Sequence, residues 1–207
     1  ALQLVSPAGK WKLDSPLVGS FNVDNSITTI GIATALNVNI MDAIRSLSSA
    51  AGAPGRLERV ELAGDTGGKA AIFVDYAHTP DALDNVLKTL STLEHDRLIC
   101  VFGCGGDRDA KKRPEMGRIA DHYADVVIVT DDNPRTEASE DILHDILAGI
   151  DPSKMIMHKA LQQGLRREEG CVVIADRREA IKTAVHNSGS NDIVLVAGKG
   201  HEKYQLS

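Results

Sequence analysis

The stretch LICVFGCGGDRDAKKRPEMGRIADHYADVVIVTDDNPR, Leu98 to Arg135, decides the fold class. Leu98–Phe102 is wholly apolar and runs into a glycine turn, Arg113–Ala124 reads as a helix, and Val126–Val129 is apolar again. Short apolar runs without polar alternation are strands buried on both faces, and a helix between two of them is the crossover of a parallel pair. The pattern extends in both directions. RLERVEL (56–62) and AIFVDYA (71–77) are strand-like, with a glycine loop at Asp65–Lys69 between them. DALDNVLKTLSTL (81–93) is an amphipathic helix, announced by Thr79 as N-cap and Pro80 in the first helical position. After Arg135 come the helix SEDILHDILAGI (139–150), the strand-like MIMHK (155–159) and CVVIAD (171–176), the helix REAIKTAVH (178–186) and DIVLVAGKGHE (192–202). The expected fold is α/β, a Rossmann-like and mainly parallel sheet covered by helices, with right-handed crossovers.

The text before residue 56 is of another kind. ALQLVSPAGKWKLDSP reads as a hairpin turning at Pro7, Ala8 and Gly9. Asn25–Ala35, with Ile27 and Ile30, and Met41–Ala50, with Ile44 and Leu47, read as short helices. AAGAPGR then marks a boundary near Gly52–Arg56, dividing the chain into residues 1–55 and 56–207. Ala1 enters strand-like text directly, so we expect a piece of a longer protein.

Composition narrows the functions. Of 207 residues, 25% are charged and 43% hydrophobic, which is ordinary for a soluble domain. The net charge of −6 speaks against a nucleic-acid binder that works by neutralising phosphates. No apolar run reaches the length of a membrane span and no signal sequence opens the chain, so we expect no membrane partner and a cytoplasmic location. Cys100, Cys104 and Cys171 fit no disulfide framework. Cys100 falls in an apolar run, and no second Cys or His pair follows at zinc-finger spacing. Buried thiols are expected, not a metal site.

In open α/β sheets, ligands bind beyond the carboxyl ends of the strands. Four such ends are unusually polar here: DYAHTP (75–80), GCGGDRD (103–109), TDDNPR (130–135) and AGKGHE (197–202). Singly, each has a plain reading: a tight turn, a capped loop with a solvated arginine, a surface histidine. Gathered on one rim, they make a site. Glycines there would let backbone amides approach a ligand. Arg108 and Arg135 offer planar forks for a carboxylate, and Glu202 suits an ammonium. Lys199 and His201 could face a phosphate or water, and Asp75 could hold ribose hydroxyls. His78 has no nucleophile near it and is not read as a catalytic base. The set fits a ligand with both carboxylate and ammonium groups, such as an amino acid.

The four strand ends, in this order, resemble the C-terminal domain of the Mur ligases, ATP-dependent enzymes that extend the peptide of cell-wall precursors. DYAHTPDAL, GCGGDRD followed by KRPEMG, DNPR and GKGHE, with FNVDN (21–25) and PGRLERV (54–60) ahead of them, are similar to the motifs of members that add meso-diaminopimelate to UDP-N-acetylmuramoyl-L-alanyl-D-glutamate. The resemblance implies a C-terminal ligase domain preceded by the tail end of a central ATPase-type domain. It places diaminopimelate at Arg108, Asp132, Asn133, Pro134, Arg135, Gly198 and Glu202. It places ATP near Asn25 on the adenine side and near Arg56 and Asp75 on the ribose side, with His78 as a further candidate. It also implies amide formation through an acyl phosphate, Mg2+ to neutralise the phosphates, and a monomer.

The family's G-x-x-G-K-[ST] loop, its carbamylated lysine and its principal metal ligands have no counterpart in this sequence. No catalytic residue and no metal ligand is therefore assigned. The chain alone is expected to bind diaminopimelate weakly and not to catalyse. Lysine-adding members carry another tetrapeptide where DNPR stands. A lysine-adding ligase and a stand-alone amino-acid-binding module are the alternatives.

Overall fold

The computed structural model describes residues 2–6, 9–60, 70–156 and 170–202. The chain forms two compact units, Ala1–Ala53 and Pro54–Ser207. In the first, β1 (Leu2–Ser6) and β2 (Gly9–Leu13) pair antiparallel with Leu2 opposite Leu13 and Ser6 opposite Gly9. The expected turn residues Pro7 and Ala8 lie outside the described residues. Helix α1 (Ser20–Ala35) begins five residues before the expected Asn25. Its N-cap, Gly19, makes no side-chain cap bond, so the sequence carried no start signal. Its end is well marked. Asn37 takes a left-handed φ of 57°, and the amides of Asn37 and Val38 return to the carbonyls of Thr34 and Ala33, a Schellman closure. Helix α2 (Ile40–Ser48) starts on Asn39, whose side chain accepts from the Met41 amide. Leu13, Ile30 and Ile44 form the small core of this unit. Ile27, expected to pair with Ile30, is exposed; Ser26 shares the buried face of α1 instead, one turn from Ile30.

In the second unit, β3 (Glu58–Val60), β4 (Ala71–Asp75), β5 (Leu98–Phe102), β6 (Val126–Val129), β7 (Gly170–Val173) and β8 (Ile193–Ala197) form one sheet in the order β3-β4-β8-β5-β6-β7. Only β3 runs antiparallel to its neighbour; the other pairings are parallel. The expected glycine loop at 65–69 and most of MIMHK lie outside the described residues. Met155 makes a single parallel bridge to Cys171.

Helices α3 (Pro80–Ser91), α4 (Lys112–Tyr123), α5 (Ser139–Leu147) and α6 (Arg177–Asn187) connect the parallel strands. The chain steps one way across the sheet from β4 to β5, β6 and β7, then returns to insert β8 between β4 and β5. Right-handed crossovers therefore put α3, α4 and α5 side by side on one face and α6 on the other. Ala180 and Ala184 of α6 pack with Ile99, Val101, Ile128 and Val194. The alternate residues Leu98, Cys100, Phe102, Val127 and Leu195 are equally buried and point to the opposite face. Burial on both faces is why these strands read as unbroken apolar runs. Thr79 caps α3 by accepting from the Ala82 amide, with Pro80 in the first turn.

All three cysteines are buried, and burial pushes the thiols up to about 12 for Cys100 and Cys171 and to about 11 for Cys104. At neutral pH they are protonated and shielded. Ellman's reagent is expected to find no fast-reacting thiol in the native chain and three after denaturation. A rapid native reaction would contradict this packing.

Candidate functional site

The parallel strands all end on one rim, where β4, β8, β5 and β6 are successive neighbours. A cleft of about 420 Å³ opens there, within the usual range for small-ligand pockets. All four polar strand ends line it. Tyr76 and His78 come from β4, Gly103 and Arg108 from β5, Asp132, Asn133 and Arg135 from β6, and Gly198 and Glu202 from β8.

The loops after β5 and β6 are built against each other. A Cβ on Gly103 would lie 1.9 Å from the Thr130 carbonyl oxygen, and one on Gly106 would lie 1.9 Å from that of Pro134. These glycines therefore serve loop-to-loop packing, and Gly103 lines the cleft as well. The Gly106 amide donates to the Asn133 carbonyl at 2.9 Å, and Arg135 Nη1 donates to the Gly106 carbonyl at 2.6 Å. Asp107 adds a staple. Its carboxylate accepts from the Thr136 hydroxyl at 2.6 Å and from the Thr136 amide at 3.3 Å. The hydroxyl bond is the main reason its carboxyl sits below the usual aspartate value. Asp107 and Arg135 both hold φ near +54°, a left-handed conformation that costs a side-chain-bearing residue energy and persists only where the surroundings enforce it.

Beneath this pair of loops lies Arg113 of α4, 2% exposed. It donates to Asp145 at 2.9 Å and Glu137 at 2.8 Å, and these partners carry its buried charge. Nothing in KKRP distinguishes it in sequence from its neighbouring lysines. Lys112, also unassigned by sequence, lines the cleft and donates to the His78 carbonyl at 2.8 Å.

Asp132 and Asn133 are buried, and both meet Lys199 from the loop after β8. Lys199 Nζ is 2.8 Å from Asp132 Oδ1 and 3.0 Å from Asn133 Oδ1. Lys199 is thus a buried cation turned to Asp132 and Asn133, a placement that the sequence does not show. Arg177, at the start of α6, is buried nearby and donates to the carbonyls of Ala197 at 2.7 Å and Asp131 at 3.3 Å. Burial lowers its pKa, opposed chiefly by the charge of Asp132. Pro134 is half-buried and contributes its carbonyl to the contact with Gly106.

On the β4 side, Asp75 is a knot of backbone bonds. Its carboxylate accepts from the amides of Leu57 at 2.6 Å and Ala77 at 2.7 Å, and its carbonyl accepts from Gly198 at 3.0 Å and Gly200 at 3.2 Å. It thus ties the strand ends of β4 and β8 together. Arg56 is exposed and lies 4.8 Å from the centre of the Tyr76 ring. Tyr76 in turn donates its hydroxyl to Glu202 at 3.3 Å. Gly55 fits against the Gly200–His201 backbone, where a Cβ would meet the His201 nitrogen at 2.2 Å. Asn25 lies in the first unit, on the exposed side of α1, with its amide on Asn22.

The family profile described as "Mur ligase, glutamate ligase domain" matches residues 55–200. The chain belongs to the Mur ligase family. It is 46% identical over 201 residues to a UDP-N-acetylmuramoyl-L-alanyl-D-glutamate--2,6-diaminopimelate ligase of Thermosynechococcus vestitus, covering 97% of this chain and 37% of that protein. The same enzyme of Gloeobacter violaceus is 45% identical over 203 residues, covering 98% of this chain and 38% of that protein. Among solved structures, a ligase of the same description superposes with a TM-score of 0.68 at 42% identity, over 99% of this chain and 38% of that one. A folylpolyglutamate synthase of Mycobacterium tuberculosis complexed with ADP and AMPPCP shares the fold at a TM-score of 0.64 and 20% identity, over 92% of this chain and 40% of that one. The chain spans little more than a third of the length of the curated relatives it matches.

Among the described residues, no group of three or more His, Cys, Asp or Glu is placed to hold a metal ion. Nor is any described helix long and apolar enough to cross a membrane.

Proposed function

We propose that this chain provides the diaminopimelate-binding part of a ligase that joins meso-diaminopimelate to UDP-N-acetylmuramoyl-L-alanyl-D-glutamate with ATP. The observation that carries the reading is one cleft lined by both Arg135 and Arg108 and by Glu202. Glu202 ends the loop after β8 and Arg135 the loop after β6, with β5 between them. Strand spacing puts those two ends about 10 Å apart, which seats an extended diamino acid once both side chains reach inward.

In this reading the arginines take a carboxylate of diaminopimelate and Glu202 takes an ammonium. Asp132, Asn133, Pro134 and Gly198 shape the pocket between them. The domain orients the attacking amine toward the acyl phosphate of the precursor, so its contribution is positioning and not proton transfer. Asn25 of the first unit and Arg56, Asp75 and His78 of the second are each assigned to ATP. Mg2+ and the triphosphate are held by sequence beyond this chain, since the G-x-x-G-K-[ST] loop is absent from it. The ligase works as a cytoplasmic monomer.

The test compares meso-diaminopimelate with lysine in the full-length ligase. Lysine lacks the far carboxylate, so binding it would cover the arginine fork and leave it without a partner. Rejection by about 10⁴-fold in kcat/KM is expected. Comparable use of the two amino acids would sink the assignment.

A further inference from the structure

We propose that Lys199 is a positioning residue that sets the spacing between the ammonium-binding and carboxylate-binding ends of the cleft. The inference rests on the function proposed above.

The geometry is that of a buried hub. The Lys199 side chain is 11% exposed and lies behind the cleft wall. Its ammonium meets Asp132 at 2.8 Å, Asn133 at 3.0 Å and Glu202 at 3.7 Å. Asp132 and Asn133 belong to the loop that ends in Arg135, whereas Lys199 and Glu202 belong to the loop after β8. One cation thus joins two loops that are not neighbours in the sheet, since β5 runs between β6 and β8.

Its effect on each loop is specific. Glu202 is held from two sides, with the Tyr76 hydroxyl on Oε1 and Lys199 near Oε2, so its carboxylate has a set direction. Asn133 is held through Oδ1 by Lys199, while its carbonyl accepts from Gly106 and from Arg135 Nη1. A chain of contacts therefore runs from Glu202 through Lys199 and Asn133 to the Arg135 guanidinium. Removing the cation takes away one counter-charge of the buried Asp132 carboxylate and releases both ends of the chain.

The test measures KM for meso-diaminopimelate, ATP and the UDP-linked dipeptide in the full-length ligase, comparing wild type with Lys199→Met and Lys199→Arg. Lys199→Met is expected to raise KM for diaminopimelate at least tenfold while the other two KM values move less than twofold. Lys199→Arg, which keeps the charge and the donors, should recover most of that loss. A diaminopimelate KM within twofold of wild type, or all three KM values rising together, would overturn the role. If Lys199→Met does not fold, Lys199→Gln is read by the same criteria; it keeps a donor for Asn133 but removes the positive charge beside Asp132. A wild-type enzyme that does not use diaminopimelate would instead bring down the functional reading, so the two failures are distinct.

Discussion

Replacing Arg135 by lysine is expected to lower kcat/KM for diaminopimelate at least 100-fold in the full-length ligase, with KM for ATP nearly unchanged. The charge stays, so a role confined to long-range attraction would survive the change. What goes is the planar fork. In the structure Nη1 already donates to the carbonyls of Gly106 at 2.6 Å and Asn133 at 3.4 Å, which aims the guanidinium while the rest of it faces the cleft. A lysine ammonium has no such fixed plane and cannot hold both the loop and a carboxylate in one geometry. Each charge-assisted bond to a ligand is worth about 1.5–3 kcal/mol, so losing the two of a bidentate fork, about 3–6 kcal/mol, gives a factor of about 100 or more. The backbone adds to the effect. Arg135 sits at φ 54°, and the conformation is tolerated because the loops around it over-determine it. Unchanged kinetics for the lysine variant would reduce Arg135 to a turn residue.

The strands were legible because burial on both faces leaves no polar alternation. Val126–Val129 and Ile193–Ala197 are buried throughout, and both read directly as strands. Thr79–Pro80 marked the start of α3 because its cap chemistry is local. The first turn of α1 was not legible, since Gly19 offers no side-chain cap. The rim followed from topology, because polar residues after parallel strands have only one edge on which to gather.

What the sequence could not show is how those polar residues divide between ligand and scaffold. Lys199, flanked by two glycines, looks solvent-facing; its burial depends on Asn133 and Asp132, more than sixty residues away, and no local pattern reports that contact. Asp75 reads as a ribose ligand, and nothing local in DYAHTP shows that its carboxylate also holds the backbone amides of Leu57 and Ala77. Arg113 and Arg177 were passed over for the same reason. A buried arginine and a solvated one look alike in a single sequence, and only packing tells them apart.

Gly106→Ala is the second large effect, and it tests whether loop packing or the charged groups themselves set the shape of the cleft. A methyl at this position would begin 1.9 Å from the Pro134 carbonyl oxygen and 2.7 Å from its carbon. Both are backbone atoms, so no side chain can rotate away. The loops after β5 and β6 must part by more than 1 Å to reach ordinary contact. That movement breaks the bond from the Gly106 amide to Asn133 and the one from Arg135 to the Gly106 carbonyl. Overpacking of this kind costs about 1–3 kcal/mol in stability. The functional loss should be larger in proportion, because a displacement of about 1 Å in a positioning group can cost about 100-fold in rate. Here Arg108 and Arg135 are both displaced. Gly105→Ala is the control, since its Cβ would crowd the far end of the flexible Arg135 side chain, at 2.8 Å, and would sit at ordinary contact distance, 3.7 Å, from the Asn133 carbonyl oxygen. That variant should keep its stability within about 1 kcal/mol and lose diaminopimelate affinity only through the shift of one guanidinium. If Gly106→Ala and Gly105→Ala show the same modest loss, the two loops are free to move apart. The cleft would then owe its shape to its charges and not to the packing of its glycines.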